Sequence, residues 1–208
     1  MKAIAIVNPK GGSGKSTLSS NLAGFLAHHT PGVMLGDVDR QQSCRNWLGL
    51  RPADQPTIET WQVDADNVAR PPKGVWRAVL DTPAGIKGKL LEKVVKVSSQ
   101  LIVPIQPSPF DLWAVADFLD ELQTLKQVHN GKADIALVAM RCDPRTRAAA
   151  QLEAFLAERP ELHVATIRPT QSYGALAAQG LTIFDMPPEK TQRERADWSP
   201  LLNWLDLH

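Results

Sequence analysis

The sequence is poor in cysteine and in net charge, and it contains no long apolar run. Its 208 residues include two cysteines, Cys44 and Cys142, which lie far apart and lack the C-x-x-C spacing of metal or redox sites. We expect both to be free thiols in a reducing compartment, with no disulfide. No apolar stretch approaches the ~20 residues that a membrane-spanning helix needs. We therefore expect a cytoplasmic protein rather than a disulfide scaffold or an integral membrane protein.

Charge is almost balanced along the chain. Lys and Arg number 23 against 22 Asp and Glu, which gives a formal net charge of +1. Any affinity for nucleic acid must therefore come from a local patch, since the overall charge does not favour it. The start at Met1 and Lys2 leads directly into an apolar run that resembles a strand, which argues against a signal peptide. The five histidines form no triad or metal pattern.

Short apolar runs alternate with helical patterns along the whole chain. The runs predict strands buried on both faces at 3–7, 33–36, 76–80, 101–105, 135–139 and 164–167. Apolar periodicity predicts helices at 86–97, 112–125 and 148–158. This alternation predicts one α/β domain over residues 1–208, with a doubly wound, mostly parallel sheet flanked by helices. The proline-rich stretch 49–73 is the least regular, and it could carry a short helix from Ile58 to Val63.

The most informative stretch is Lys10-Gly11-Gly12-Ser13-Gly14-Lys15-Ser16-Thr17, which lies between the first predicted strand and a helical pattern. Strand, glycine-rich turn and helix form the context of a phosphate-binding loop. Glycines let backbone N–H groups surround phosphate oxygens, and the helix N-terminus adds partial positive charge. We expect Lys15 to reach the β- and γ-phosphates and the Ser16 hydroxyl to ligate Mg²⁺.

The loop departs from the ordinary G-x-x-x-x-G-K-[ST] pattern. Pro9 stands at the first glycine position, and a second lysine, Lys10, begins the loop. This K-G-G-x-G-K-S form is the deviant Walker A motif, and here the chain resembles the ParA/MinD family of dimeric P-loop ATPases. The resemblance implies ATP and Mg²⁺ as cofactors and residues 10–17 as ATP-binding. It also implies an ATP-dependent homodimer in which Lys10 reaches the partner's nucleotide and acts with Lys15 in catalysis.

Carboxylates follow the second and third predicted strands. Asp37 and Asp39 form a D-x-D that is similar to the family's D-x-D-P-Q, with Arg40 in place of the proline. By that resemblance Asp39 orients the attacking water and lies at the metal, with Asp37 in support. A helix N-cap would explain the D-x-D equally well.

The third predicted strand ends in Asp81, the Walker B arrangement in which a carboxylate holds Mg²⁺. The family usually shows D-x-P-P after such a strand, and Ala84 replaces the second proline here. By resemblance, the Gly85 N–H would donate toward a γ-phosphate and act as a switch. The alternative is an ordinary surface turn.

Three further segments follow later strands. The loop 104–111 is stiffened by three prolines, Asp111 is a candidate helix N-cap, and the resemblance places this loop at the dimer interface. Arg141 follows the fifth predicted strand, where it would either stack on the base or lie exposed at the surface. Pro169 and Thr170, after the sixth predicted strand, are further base-side candidates by family position.

Basic residues cluster in three places and are our candidates for DNA contact. The first two groups are on the polar side of the helix at 86–97 and near the C-terminus, and the third is Arg145 with Arg147. The members of the first two are Lys87, Lys89, Lys93 and Lys96, then Lys190, Arg193 and Arg195. Each group is also explained by an ordinary solvated helix face. The apolar segment 198–208 lacks Lys and Arg, so we expect a closing helix packed on the domain and no membrane contact.

These features together predict a ParA-like partition ATPase. By resemblance, its ATP-bound dimer would bind DNA without sequence preference and associate with the nucleoid. A ParB-like partner would stimulate hydrolysis, which would segregate a plasmid or a chromosomal region. The alternative is a ParA-like ATPase that positions a non-DNA cargo, such as a chemoreceptor array or a protein microcompartment. A nitrogenase-like reductase is disfavoured, because it would need paired cluster cysteines.

Overall fold

The structure is a computed structural model that describes residues 2–68, 71–72 and 74–206. Six parallel strands in this part of the chain form one sheet with the order β2-β3-β1-β4-β5-β6. Their bounds are β1 Lys2–Ile6, β2 Val33–Asp37, β3 Arg77–Asp81, β4 Gln100–Ile105, β5 Asp134–Met140 and β6 His163–Ile167. The predicted parallel, doubly wound α/β class is confirmed.

Helices connect these strands and cover both faces of the sheet. Their bounds are α1 Lys15–His29, α2 Ser43–Leu50, α3 Gly88–Val97, α4 Pro109–Thr124, α5 Lys126–His129, α6 Arg147–Ala157, α7 Ser172–Ala177 and α8 Gln192–Trp204. A 3₁₀ helix at Pro188–Lys190 precedes α8. Of the predicted helices, α3 starts two residues late, because Gly88 has a φ of 54° and the chain reaches it in extended conformation. The α4 helix starts three residues early, where Pro109 suits the first helical turn.

The apolar core lies on both faces of the sheet. On one face, α3, α4 and α6 pack against the strands, and on the other face α1, α2 and α8 do so. The predicted closing helix is confirmed as α8, because Trp198 is fully buried and its indole N–H donates to the Tyr173 hydroxyl at 2.9 Å. None of the described helices combines the length and apolar character needed to cross a bilayer.

The stretch after α2 forms no helix from Ile58 to Val63, so that prediction is wrong. The chain instead runs extended beside the outer edge of β2, where Glu59 exchanges backbone hydrogen bonds of 3.0 and 2.8 Å with Val33 and Leu35. Trp61 then covers Gly36, where any Cβ would lie 2.5 Å from the indole ring. Pairing to an open strand edge and burial of Trp61 therefore decide the conformation, and local helical preference does not. The notebooked stretch 49–73 includes residues 69, 70 and 73, which lie outside the described residues.

The strand order brings the chemistry to one edge of the sheet. In the parallel register Ile6 of β1 and Asp37 of β2 both lie opposite Asp81 of β3. The loop after β1 and the carboxylates that end β2 and β3 therefore meet at the carboxyl ends of adjacent strands, where ligands bind in open α/β sheets.

Candidate nucleotide site

The loop between β1 and α1 holds a buried lysine. Lys15 is 7% exposed, and its Nζ donates to the carbonyls of Lys10 at 2.8 Å and Asn8 at 3.3 Å. Burial lowers the pKa of Lys15, while Asp81 and Asp39 act in the opposite direction and raise it. The loop therefore surrounds the ammonium of Lys15 with carbonyl oxygens at the N-terminus of α1.

Gly14 is essential to this loop conformation. Its φ is 99°, a left-handed value that side chains rarely adopt, and an added Cβ would lie 2.9 Å from the Met140 side chain. Met140 ends β5, so the glycine lets the loop pass close to the neighbouring half of the sheet. The sequence predicted the glycine for phosphate approach, and the structure adds this packing requirement.

Two amides that the sequence analysis did not single out connect the loop to β4. Asn8 is fully buried, donates to the Pro104 carbonyl at 2.6 Å and accepts the Lys10 N–H at 2.5 Å. Gln106 donates to the Gly12 carbonyl at 2.5 Å. A polar residue directly after an apolar strand was the available signal for both residues. The end of β4 therefore positions the phosphate loop.

Asp81 is the buried acceptor at the centre of the site. The Ser16 hydroxyl donates to its Oδ2 at 2.8 Å, and the Ser19 hydroxyl donates to its Oδ1 at 2.9 Å. Burial raises the pKa of Asp81 from 3.8 to about 6, although the hydrogen bond from Ser16 lowers it. The two predicted metal ligands, Ser16 and Asp81, thus lie together. Their hard oxygen atoms suit Mg²⁺, so this donor set fits the expected ion.

The structure divides the D-x-D pattern between two roles. Asp37 accepts the backbone N–H groups of Cys44 at 2.8 Å and Arg45 at 3.1 Å, so it caps the N-terminus of α2. It also accepts the N–H of Asp39 at 3.0 Å, while burial raises the pKa of Asp37. Asp39 is half-buried and accepts the Gln41 N–H at 3.0 Å. The N-cap alternative therefore describes Asp37, and Asp39 lies within electrostatic reach of Lys15.

Cys44 is a second site residue that the sequence analysis did not identify. Its Sγ lies 3.3 Å from Asp81 Oδ2 and 3.8 Å from the Ser16 carbonyl. Possible ligand atoms of Asp37, Cys44 and Asp81 all lie within 4.8 Å of one another, and all three residues are buried. No spacing rule for cysteine could have found this thiol, because α2 folds it against β3.

Gly85 is occupied by a contact within the chain. Its φ is 72°, and its N–H donates to the Pro9 carbonyl at 2.8 Å. The predicted donation from Gly85 to a γ-phosphate would need this hydrogen bond to break. The bond joins the segment after β3 to the head of the phosphate loop.

A cleft of about 480 Å³ lies beside Thr17, on the β5–β6 side of the loop. Thr17, Arg141, Arg168 and Thr170 line it, so the structure brings two of the predicted base-side residues next to the end of the phosphate loop. Pro169 instead lines a neighbouring cleft with Arg193. Arg168 donates to Asp197 of α8 at 2.8 Å and was not predicted as a lining residue.

Residues 4–183 match the family described as the CobQ/CobB/MinD/ParA nucleotide binding domain. The chain belongs to this family. Among curated relatives, "Maintenance of carboxysome distribution protein A" from Gloeobacter kilaueensis is 28% identical over 99% of this chain and 94% of its own length. "Chromosome-partitioning ATPase Soj" from Thermus thermophilus is 26% identical over 75% of this chain and 76% of its own length. The predicted ParA/MinD membership is confirmed.

Solved structures share the fold at low identity. An ATP complex of McdA from Cyanothece superposes with a TM-score of 0.72 at 15% identity, and the match covers 97% of this chain and 96% of that one. A plasmid partition protein from Borrelia burgdorferi bound to AMPPNP gives 0.76 at 16%, with 97% and 98% covered. Cobyrinic acid a,c-diamide synthase from Mycobacterium smegmatis, with an ATP analogue and magnesium, gives 0.65 at 20%, with 93% and 98% covered.

The basic groups lie on opposite sides of this ParA/MinD-type domain. The α3 lysines Lys87, Lys89, Lys93 and Lys96 are exposed. The side of α3 that is buried carries Leu91, Val94 and Val95, whereas the predicted apolar positions Leu90 and Val97 are only half-buried. The group at 190–195 belongs to α8 and the turn before it, on the other face of the sheet. Within one chain, therefore, the two groups do not form a single patch.

Arg195 differs from the other candidates for DNA contact. Its guanidinium donates to the carbonyls of Phe184 at 3.1 Å and Met186 at 2.9 Å, and it lies over the Phe184 ring. These contacts hold the segment before α8, so we leave Arg195 out of the proposed DNA surface. Arg145 is exposed and pairs with Asp143 at 2.7 Å, which lowers the pKa of Asp143 to about 2.

Proposed function

We propose that this chain is a Mg²⁺-dependent ATPase that dimerises on ATP. The observation that carries the proposal is the joining of Lys15 and the Ser16–Asp81 pair at one strand edge, next to the cleft beside Thr17. In this arrangement Lys15 and the loop amides stabilise phosphate charge. Ser16 and Asp81 would hold Mg²⁺, which neutralises charge on the phosphate oxygens. Asp39, half-buried and near Lys15, would orient the attacking water.

The Lys10 backbone supports the role of this residue across a dimer interface. Its N–H donates to the Asn8 side chain and its carbonyl accepts from Lys15, so the backbone of Lys10 is held on both sides. A side chain that starts from a fixed backbone loses less conformational entropy when it reaches a partner's phosphate. Lys10 is thus suited to contact nucleotide bound by a second copy.

An exposed aromatic pair near the loop supports dimerisation. Phe110 and Trp113, at the start of α4, are 68% and 64% exposed and pack edge to face with ring centroids 5.7 Å apart. They follow Gln106, which contacts Gly12 of the phosphate loop. Exposed aromatic clusters of this kind are typical of protein interfaces. We propose that a second copy covers them when ATP is bound.

Oligomeric state with each nucleotide tests this proposal. Light scattering after size exclusion should find a dimer with Mg²⁺-ATP and a monomer with ADP. Lys10→Ala should remain a monomer that still binds ATP, and Lys126→Ala, an exposed lysine of α5, is the matched control. An ATP-bound wild type that stays monomeric at concentrations well above its ATP affinity would refute the dimer.

We further propose that the ATP-bound dimer binds DNA without sequence preference and associates with the nucleoid. The four exposed lysines of α3 support this, since backbone contact needs converging positive charge. DNA retention with ATP should weaken steeply across a salt series, and it should be lost with ADP and in Lys10→Ala. Changing the four lysines to glutamine should also remove it, whereas changing Lys190 and Arg193 tests the opposite face of the sheet. ATP-independent DNA binding would contradict the proposal.

The cargo follows from the relatives. Two proteins named for carboxysome distribution match 88% and 99% of this chain, against 75% for the chromosome-partitioning relative from Thermus. We therefore favour a protein assembly as the cargo, with a partner protein that stimulates hydrolysis. Segregation of plasmid or chromosomal DNA through a ParB-like partner is the second candidate. In a deletion strain of the source organism, irregular spacing of protein assemblies would support the first, and loss of a replicon would support the second.

A further inference from the structure

Cys44 places a thiol in the middle of the proposed cation site, where phosphate chemistry does not require one. Its side chain is buried, and its Sγ lies 3.3 Å from Asp81 Oδ2 and 3.8 Å from the Ser16 carbonyl. The backbone N–H of Cys44 donates to Asp37 at 2.8 Å. Since Asp37 caps α2 at this residue, the first turn of the helix fixes the position of the thiol.

The donors around this thiol form a set that suits a softer ion than Mg²⁺. Ligand atoms of Asp37, Cys44 and Asp81 lie within 4.8 Å of one another, and the Ser16 hydroxyl lies 2.8 Å from Asp81. Two carboxylates, one sulfur and one hydroxyl make up a mixed set of four donors, which is the coordination number that Zn²⁺ prefers. Mg²⁺ prefers octahedral oxygen ligands and has little affinity for a thiolate. The set therefore discriminates between the two ions.

We propose that Asp37, Cys44 and Asp81 bind a thiophilic divalent cation such as Zn²⁺, which excludes Mg²⁺ from Asp81. When the ion binds, a metal–sulfur bond forms at Cys44 as the S–H bond breaks, and the proton leaves to solvent. Asp81 then directs an oxygen to the new ion instead of accepting from Ser16. The consequence for hydrolysis depends on the proposed ATPase function, but the binding itself does not.

The competition follows from geometry. Asp81 Oδ2 is the atom that accepts from both Ser16 and Cys44, so the proposed Mg²⁺ position and the thiol share one oxygen. An ion held toward Cys44 withdraws that oxygen from the Ser16 side. Thiophilic cations should therefore inhibit any Mg²⁺-dependent step at this site, and excess Mg²⁺ should restore it.

Cd²⁺ titration of the full chain without nucleotide tests the binding. A cadmium–thiolate bond gives an ultraviolet charge-transfer absorption, which Zn²⁺ should remove by displacing Cd²⁺. We expect the absorption in the wild type and in Cys142→Ser, the matched control at the other buried thiol. In Cys44→Ser the absorption should disappear, and Zn²⁺ affinity by calorimetry should fall at least about tenfold, as for loss of a metal contact.

An absorption that is absent in the wild type, or unchanged in Cys44→Ser, would overturn the proposal. The wild-type result stands alone if the variant fails to fold. In a hydrolysis assay, Cys44→Ser should need at least about tenfold more Zn²⁺ for half-inhibition than Cys142→Ser, and equal sensitivity would refute the competition. Cadmium binding without any ATPase activity would leave this site in place and refute the proposed function instead.

Discussion

The two sides of the candidate nucleotide site differ in how firmly they are built. On the phosphate side, Lys15, Asp37 and Asp81 are each under a tenth exposed, and every one has hydrogen-bond partners from other segments. On the base side, Arg141 and Thr170 are exposed. The phosphate side is thus preorganised, whereas the base side is an open cleft. Charged groups can be buried only when they are paired, so function on the phosphate side dictates its packing as well.

Removing Lys15 should break the preorganised side most severely. Lys15→Ala deletes the buried ammonium that lies among the loop carbonyls, so phosphate charge loses its main side-chain partner. We expect kcat for ATP hydrolysis to fall by about 100-fold or more, as when a preorganised transition-state donor is lost. Steady-state phosphate release measures this. Lys132→Ala, at an exposed lysine, is the control, and a loss of less than tenfold for Lys15→Ala would contradict the assignment.

Asp81→Asn should separate function from stability on the same side. Because burial raises the pKa of Asp81 to about 6, its contribution to the free energy of unfolding is full below the ordinary value of 3.8. That contribution is lost as pH rises through about 6. Without metal or nucleotide, Asp81→Asn should therefore gain Tm relative to the wild type at about pH 8 and less at about pH 5. It should also lose Mg²⁺-dependent hydrolysis.

Thermal unfolding of Asp81→Asn and of Asp54→Asn, an exposed control, at both pH values checks the sign. If the difference in Tm between Asp81→Asn and the wild type is the same at both pH values, Asp81 is not the titrating group. A Tm gain with activity retained would show that this carboxylate is not a metal ligand.

Arg168→Ala should have a moderate effect on the base side. The guanidinium of Arg168 pairs with Asp197 at 2.8 Å and donates to the Arg193 carbonyl at 3.1 Å, so it joins the end of β6 to α8 beside the cleft. Loss of this link should loosen the cleft and raise KM for ATP by about threefold to tenfold with little change in kcat, because uniform binding alone is affected. A fall in kcat equal to the rise in KM would instead place Arg168 in transition-state stabilisation.

Arg141→Ala should have the smallest effect. Arg141 is exposed at the rim of the cleft, with a φ of 53° that is unfavourable for side chains other than glycine. Stacking by an exposed cation is weak, so KM for ATP should rise by less than about threefold. The ratio of kcat/KM for ATP and GTP measures its role in base choice. If Arg141→Ala affects KM more than Arg168→Ala does, the contrast between preorganised and open sides is wrong.

The phosphate loop could be predicted from sequence because its function requires local features. Gly14, Lys15 and Ser16 must follow a strand and start a helix, and both features are visible in one short window. Asp81 could be predicted by the same kind of rule, as an acid that ends an apolar strand. The base side was only partly predictable, since Arg141 and Thr170 come from separate loops and Arg168 acts through Asp197 of a distant helix.

The sequence by itself determined the parallel α/β class, the phosphate loop and its helix, because periodicity and backbone geometry act over a few residues. Only the tertiary structure decided which aspartate of the D-x-D caps α2, and that Cys44 lies against Asp81. It also decided that Trp61 packs over Gly36 in an extended segment. These outcomes depend on the pairing of distant strands and on burial, and a distance between segments is not encoded in any single stretch of the chain.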